Sequence, residues 1–247
     1  MRYFIELSYN GKDYHGWQNQ PNAITVQQVL EEALSTLLQA KIEIVGAGRT
    51  DTGVHALQMY AHFDVETQLE ITNLIYKLNN YLPKNIAVHS IFKVKDDAHA
   101  RFNAESRTYH YKISTFKNVF TFDFEYLLQL PLDVEKMNQA CKILLEYKDF
   151  QCFSKSNTDV KTYHCNIKKA EWTKENDSLI FIISADRFLR NMVRAIVGTM
   201  LEIGLGKLKV DDLYDIIKSK NRSQAGYSVP AHGLYLTSIT YPEKIKW

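Results

Sequence analysis

The sequence predicts an α+β fold in which two similar units each follow the element order β-α-β-β-α-β. The first observation is that short segments in both halves alternate apolar and polar residues, as half-buried strands do. The second is that two segments in each half repeat apolar residues at helical spacing. This order is that of the split βαβ, or ferredoxin-like, unit with a mainly antiparallel sheet. We assign residues 1–97 to the first unit and 98–247 to the second, and expect the active cleft between them.

The first unit opens with a strand at residues 2–9 and a loop at 10–21 that is rich in glycine, asparagine and aromatic residues. We expect Trp17 in this loop to cover the edge of the core; contact with a ligand is the alternative. A capping box at Thr25 and Gln28 begins an amphipathic helix. The remaining elements are a short strand at 42–45, a strand at 56–65, a helix from Thr72 that Pro83 ends, and a strand at 86–94.

The second unit repeats the order without a visible sequence repeat, so the duplication rests on element order alone. Its elements are a strand at 108–114, a helix capped by Asp133, strands at 164–173 and 179–185 around a polar turn at 174–178, a helix at 191–204, a short extra helix at 210–218, and a last strand at 234–241.

The composition is that of a globular protein, with 247 residues, 45% hydrophobic and 23% charged. No apolar run is long enough to span a bilayer and the N-terminus lacks a signal-peptide pattern, so we expect no membrane partner. Three cysteines without C-x-x-C spacing indicate neither a disulfide framework nor a zinc site, which fits a cytoplasmic protein. A net charge of +2 is only weakly basic, so local clustering of charge must decide whether the chain binds nucleic acid.

The most unusual stretch is VGAGRTDTGVHALQMYAHFDV, residues 45–65. Three glycines surround Arg49 and Asp51 on one short turn, and an alternating strand follows directly. Glycine allows positive φ and close backbone approach, so charged side chains here are anchored to a rigid element, as a preorganised site requires. The alternative is that aspartate and threonine are ordinary turn residues, whose side chains satisfy nearby backbone groups.

The segment AHARFNAESRTYHY, residues 98–111, lies at the expected boundary between the units and runs into a strand. Arg101 and Arg107 supply positive charge. Tyr109 and Tyr111 point to the same face of the strand, where simple packing and contact with a ligand remain equal alternatives. The turn-rich segment AGYSVPAHGLYL, residues 225–236, is expected to shape the rim of a cleft.

In DRFLRNMVR, residues 186–194, three arginines stand at the start of a predicted helix, where cations oppose the macrodipole. A solvated basic face explains Arg187 and Arg190. Arg194 lies among apolar residues, where an unpaired charge is costly. We therefore expect Arg194 to have an anionic partner, and Asp51 is the candidate.

Four of these motifs, GAGRTDTGVHA, HARFNAESRTYHY, FLRNMVRAIVG and AHGLYL, resemble in order those of the A-type tRNA pseudouridine synthases, which act on the anticodon stem-loop. The resemblance extends from the loop YNGKDYHGWQ to the last strand. Two short stretches depart from the family pattern. Gln58-Met59 stands where Gly-Gln is expected, and Tyr227-Ser228-Val229 stands where smaller residues are commoner.

The resemblance implies an isomerase that detaches uracil from ribose C1′, rotates it and rejoins it through C5, at tRNA positions 38, 39 and 40. It implies that Asp51 is the nucleophile, with attack at C1′ and attack at C6 both open. Tyr109 would stack on the uracil and remove the C5 proton, Arg194 would pair with Asp51, and Arg49 would help to hold the flipped nucleotide. Basic side chains such as Arg101 would bind the RNA. The resemblance also implies a homodimer, and a carboxylate nucleophile can act without a cofactor.

Two other classes of function are weighed against this one. A noncatalytic RNA-binding module with ferredoxin-like sheets accounts for the arginines and tyrosines, but Asp51 in its basic surroundings would repel phosphate, so the carboxylate favours catalysis. A metal-assisted hydrolase would need a His/Asp/Glu cluster at ligand spacing, and the sequence has none. We therefore expect an enzyme with no metal and no cofactor.

Overall fold

The computed structural model of the chain describes residues 1–156, 160–175 and 177–245. It has the predicted α+β composition, with five α-helices among the described residues and strands that pair mostly antiparallel. The chain divides into two compact units, Met1–Glu105 with Tyr235–Trp247, and Ser106–Leu234. This division differs from the predicted one at 97/98 in two ways: the first unit extends to Glu105, and the last strand joins the first unit instead of the second. Within the described ranges no helix is long and apolar enough to cross a membrane.

The first unit has the predicted element order. Strand β1 lies between β4 and β3 and is antiparallel to both, and β2 pairs antiparallel with β3. The capping interaction at the first helix is present, since the Thr25 side chain accepts a hydrogen bond from the Gln28 N–H at 3.2 Å. The elements are β1 (Arg2–Tyr9), α1 (Val26–Leu38), β2 (Val45–Gly46), β3 (His55–Asp64), α2 (Ile71–Tyr81) and β4 (Ile86–Val94).

In the second unit, β8 lies between β5 and β7 and is antiparallel to both, while the short β6 pairs parallel with β5. The sequence does not predict β6. Residue 176, in the predicted turn at 174–178, lies outside the described residues. The elements are β5 (Ser106–Ser114), β6 (Tyr126–Leu127), α3 (Val134–Glu146), β7 (Ile167–Glu175), β8 (Ser178–Ala185), α4 (Met192–Gly204) and α5 (Asp212–Ser219).

The last strand, β9 (Leu234–Thr240), explains the division of the chain. It runs parallel to β3, with Tyr235 opposite His55. The Gln58 side chain on β3 accepts a hydrogen bond from the Ile239 N–H at 2.9 Å. The strand therefore belongs to the first unit, whereas the sequence places it as the closing strand of the second. That each unit is ferredoxin-like stays a prediction.

Helix α4 starts within one residue of the predicted start at 191, but two of the three arginines assigned to its first turns lie outside it. The helix begins at Met192, and its N-cap residue Asn191 has a left-handed φ of 66°. Arg187 and Arg190 therefore precede the helix, and only Arg194 stands in its first turn. Of these three arginines, Arg194 is therefore the one whose charge opposes the helix macrodipole.

Candidate active site

The turn between β2 and β3 presents the carboxylate of Asp51. Its backbone is closed by hydrogen bonds from the Ala47 N–H to the Tyr60 carbonyl at 2.7 Å and from the Val54 N–H to the Asp51 carbonyl at 3.1 Å. Gly53 has a φ of 79°, a conformation that glycine adopts without strain. The Asp51 side chain is half-exposed. A carboxylate is thus accessible on a turn whose own backbone is fixed.

The backbone of the loop at residues 10–17 forms hydrogen bonds with the backbone of this turn. The Trp17 N–H donates to the Thr50 carbonyl at 3.2 Å, and the Gly53 N–H donates to the Tyr14 carbonyl at 3.3 Å. Gly16 has a φ of 86°, and a Cβ there would overlap the Thr50 carbonyl oxygen. The loop therefore approaches the backbone on either side of Asp51 more closely than any other residue at position 16 would allow.

Side chains complete the support beneath the turn. The hydroxyls of Tyr9 and Thr50 share a hydrogen bond of 2.9 Å. Trp17 is buried, its ring lies 6.1 Å from that of Tyr9, and a Cβ on Gly46 would overlap its indole. Trp17 therefore covers the core, as the sequence-based expectation favoured.

His55 is a supporting residue that the sequence analysis did not single out. It is buried at the start of β3, where its Nδ1 accepts a hydrogen bond from the Gly11 N–H at 3.1 Å. Its ring stacks on Tyr235 at 4.7 Å between centroids. A Cβ on Gly11 would overlap the Val54 carbonyl oxygen. The repeated glycines of the loop are the sequence signal that could have identified this contact.

The structure distinguishes the two tyrosines of β5. Tyr109 lies opposite Ile183 of β8, is half-exposed, and meets the ring of Phe188 edge-to-face at 5.2 Å. Tyr111 is buried, and its hydroxyl donates to the Pro230 carbonyl at 2.9 Å. Burial raises the pKa of Tyr111. Tyr111 is therefore structural, and Tyr109 is the tyrosine whose ring a ligand can reach.

Arg194 is half-buried, and the rest of the protein restrains its guanidinium group. Its Nε–H donates to the Val229 carbonyl at 2.7 Å, and the Val229 N–H donates back to the Arg194 carbonyl at 3.3 Å. The positive charge of Arg194 partly opposes the rise in the pKa of Tyr111 that burial causes. The direction of the arginine side chain is therefore fixed by the segment around Val229.

That segment packs on α4, which refines the expectation that residues 225–236 shape a rim. A Cβ on Gly198 would overlap the Tyr227 carbonyl oxygen, and the Gly226 N–H donates to the Thr199 hydroxyl at 2.8 Å. Small residues within an apolar helix are the sequence signal that could have identified this contact. The segment supports Arg194 through this contact with the helix.

The other predicted binding residues are exposed. Arg49 lies on the same turn as Asp51. The guanidinium carbon of Arg101 lies 5.7 Å from the centroid of the Phe102 ring. The preceding residue, Ala100, donates its N–H to His62 Nδ1 at 3.1 Å. His62 is near the C-terminal end of β3, about 23 Å along the strand from the end that the Asp51 turn enters. Within the first unit, the structure therefore brings Arg49, but not Arg101, close to Asp51.

Two observations bear on metal and thiol chemistry. Within the described ranges, no group of three or more His, Cys, Asp or Glu residues could hold a metal ion. Cys141, Cys152 and Cys165 are buried free thiols, and burial raises the pKa of each to about 12. A thiolate nucleophile is thereby disfavoured, so the accessible Asp51 carboxylate is the better candidate.

The family model described as tRNA pseudouridine synthase matches residues 7–103 and 140–242, which include Asp51 and Arg194. The chain therefore belongs to the tRNA pseudouridine synthase family, and it is an isomerase. Proteins named tRNA pseudouridine synthase A are similar over their full length. That of Parabacteroides distasonis is 55% identical, covering 99% of this chain and 97% of the relative. That of Bacteroides fragilis is 53% identical, covering 99% and 98%, and that of Thermoanaerobacter pseudethanolicus is 41% identical, covering 96% and 98%.

Proposed function

We propose that this chain converts uridine to pseudouridine in the anticodon stem-loop of tRNA, at positions 38, 39 and 40, by nucleophilic catalysis from Asp51 on a flipped-out base. The observation that carries the proposal is the support of the Asp51 turn by the backbone of the loop at 10–17. A reacting group needs such support, because a small displacement of that group lowers the reaction rate. It is not needed for a surface residue that only contacts RNA.

The reaction needs no co-reactant. The bond between N1 of uracil and C1′ of ribose breaks, the base rotates, and a bond from C5 to C1′ forms. The C5 proton leaves and N1 ends with one. A carboxylate can form and release a covalent intermediate during this exchange, and attack at either C1′ or C6 would use the Asp51 carboxylate.

Tyr109 and Arg194 supply the remaining chemistry in this proposal. Tyr109 stacks on the uracil and accepts the C5 proton, while its contact with Phe188 keeps the ring in one orientation. Arg194 pairs with Asp51 in the active enzyme and keeps it ionised, because a nearby cation lowers the pKa of a carboxylate. The bond from its Nε–H to Val229 fixes the direction of the guanidinium group.

RNA binding is assigned to exposed cations. Arg49, on the Asp51 turn, holds the nucleotide outside the stem; flipping costs a few kcal/mol that binding must offset. Arg101 contacts phosphate elsewhere on the RNA, since salt-sensitive contacts of this kind supply most of the affinity for nucleic acid. We further propose a cytoplasmic homodimer with the tRNA spanning both chains, because a net charge of +2 per chain is small for one chain to bind a tRNA.

Tritium release tests the activity. Transfer RNA labelled with tritium at uridine C5 should lose label to water when it is incubated with the protein, because the C5 proton is removed in the reaction. Transfer RNAs in which cytidine replaces the uridine at 38, 39 or 40, one position at a time, should each release less tritium, by the amount that the replaced uridine contributes. Release that is unchanged when all three are replaced would refute the assignment of positions, and no release from any tRNA would refute the activity.

A further inference from the structure

The segment at residues 225–229 is restrained by Arg222, a residue that the site described above does not include. Arg222 lies in a short 3₁₀ turn after α5, and its side chain is half-buried. Its Nη1 group donates to the carbonyl oxygens of Ala225 and Gly226, at 3.3 and 3.0 Å. Its Nη2 group donates to the Ser228 hydroxyl at 2.9 Å. One guanidinium group thus joins three acceptors of a single short segment.

The turn that carries Arg222 has a fixed backbone. The Asn221 side chain accepts a hydrogen bond from the Ser223 N–H at 3.0 Å, and the Gln224 N–H donates to the Asn221 carbonyl at 3.1 Å. The Ala225 N–H donates to the Arg222 carbonyl at 3.3 Å. A guanidinium group holds its donors in a rigid planar fork. On a fixed turn, such a group therefore sets the positions of the oxygens that it binds.

The start of α4 holds the same serine hydroxyl. Asn191 Nδ2 donates to Ser228 Oγ at 2.6 Å. A hydroxyl oxygen has two lone pairs, and those of Ser228 accept hydrogen bonds from Asn191 and Arg222. Asn191 has a φ of 66°, a conformation in which asparagine is enriched among residues other than glycine. The Ser228 side chain is thus held by two separate segments of the second unit.

We propose that Arg222 is a positioning residue for Arg194, with Ser228 as the link. The residue after Ser228 is Val229, whose carbonyl accepts the hydrogen bond from the Arg194 Nε–H at 2.7 Å. Arg222 thereby fixes the acceptor that orients the Arg194 guanidinium group. Because a misplacement of about 1 Å can cost about 100-fold in rate, the loss of Arg222 lowers turnover. The inference rests on the pairing of Arg194 with Asp51 in the proposed function, and it names the residue that keeps the arginine aimed.

A contact with RNA phosphate is the other role that an arginine near this site could have. Both terminal nitrogens of Arg222 already donate to oxygens of the protein, which favours positioning. The two roles also differ in their kinetics. Loss of a group that only binds substrate raises KM and leaves kcat unchanged, whereas loss of a group that aligns the reacting groups lowers kcat.

Nuclear magnetic resonance of the arginine side chains tests the link without reference to catalysis. The Arg194 Nε–H signal, identified by its loss in Arg194→Lys, should exchange slowly with water in the wild-type protein. Arg222→Ala and Ser228→Ala should each speed this exchange about tenfold or more, since each frees the segment from a hydrogen bond. Arg222→Lys keeps a cationic donor without the fork and should have a smaller effect. The matched control is Lys218→Ala, which removes an exposed cation 5.9 Å from the Tyr214 ring and should leave the exchange unchanged.

Steady-state tritium release separates positioning from binding. In Arg222→Ala, kcat should fall about tenfold or more while KM stays within about twofold of wild type. Lys218→Ala should keep both constants. Asn191→Gly retains the freedom to adopt a positive φ but removes the hydrogen bond to Ser228, so it should reproduce part of the fall in kcat.

An unchanged Arg194 exchange rate in folded Arg222→Ala would overturn the proposal, and Ser228→Ala decides in the same way if the arginine variant does not fold. A raised KM with unchanged kcat would identify Arg222 as an RNA contact and would also overturn it. Faster exchange at Arg194 with wild-type turnover would support the link between the two arginines, and it would instead refute the role of Arg194 in the proposed function.

Discussion

Gly16→Ala is expected to lower the catalytic rate, although Gly16 is not itself a reacting group. The added Cβ would lie less than 3.0 Å from the Thr50 carbonyl oxygen and 3.2 Å from the carbonyl carbon of Asp51. Because non-bonded atoms settle at about 3.5–4 Å and the Thr50 carbonyl oxygen is the closer of these two atoms, the Asp51 turn must move by roughly 1 Å or more. A displacement of about 1 Å in a catalytic group can cost about 100-fold in rate.

The same change should also lower stability. A non-glycine residue at a φ of 86° costs about 1–2 kcal/mol, and weakening the hydrogen bond from the Trp17 N–H to the Thr50 carbonyl costs about 1 kcal/mol. We expect a loss of about 2–3 kcal/mol in the free energy of unfolding. Steady-state tritium release, measured well below the melting temperature, should show kcat/KM reduced about 100-fold with tRNA affinity changed less than tenfold.

Gly48→Ala is the matched control, because Gly48 lies on the same turn, has no positive φ, and a Cβ there meets nothing within 4 Å. It should leave the free energy of unfolding within about 0.5 kcal/mol of wild type and turnover nearly unchanged. A folded Gly16→Ala protein with wild-type turnover would show that the position of Asp51 does not depend on the loop.

The further predictions concern Tyr109, Arg194 and His62. Tyr109→Phe should retain ring packing but lose the hydroxyl, so turnover should fall about 100-fold or more with little change in tRNA affinity; normal turnover would mean that another group takes the C5 proton. Arg194→Lys should lose most activity because lysine cannot bond to the Val229 carbonyl through Nε and offers no planar fork. If Arg194 pairs with Asp51, a double-alanine cycle should show coupling in denaturant midpoints, and strict additivity would refute the pair. Burial lowers the pKa of His62 from 6.5 to about 4. The unfolded chain therefore takes up this proton first, and stability falls as the pH drops below about 6.5. Between pH 7 and 5, urea unfolding should show that wild type loses about 1–2 kcal/mol more than His62→Gln does, and equal losses would refute the role of His62.

Local sequence patterns were sufficient to predict most of the strands and helices. Strands β1 and β4 have the predicted bounds, and α3 begins after the Asp133 cap, whose side chain accepts a hydrogen bond from the Lys136 N–H at 3.0 Å. Alternation, helical spacing and capping are properties of adjacent residues, so a single sequence shows them.

The strands that depend on distant partners were predicted less well. The two residues of β6 are too few to show alternation. The pairing of β9 with β3 joins His55 to Tyr235, and no local pattern indicates which of several strands is the partner. The predicted division of the chain therefore left the last strand in the second unit.

For the site, the sequence identified the residue types but not their support. The turn with Asp51 stood out by composition. The support of this turn by the loop at 10–17 through Gly16 depends on close contacts between separate segments. The same is true of the difference between the buried Tyr111 and the half-exposed Tyr109. The repeated glycines are consistent with those contacts, but glycine is common in loops for other reasons, so it does not identify a close contact on its own.

The central claim is that Asp51 performs the chemistry, and the variant Asp51→Asn tests it most directly. Asparagine keeps the size of the side chain and removes the charge, and Thr52→Ser, on the exposed neighbour in the same turn, is the control. Tritium release from tRNA labelled at uridine C5 should be abolished by Asp51→Asn, while tRNA affinity changes by less than about tenfold, or roughly 1.4 kcal/mol, and the control stays near wild type. Turnover by Asp51→Asn close to that of wild type would contradict the assignment of this carboxylate as the nucleophile.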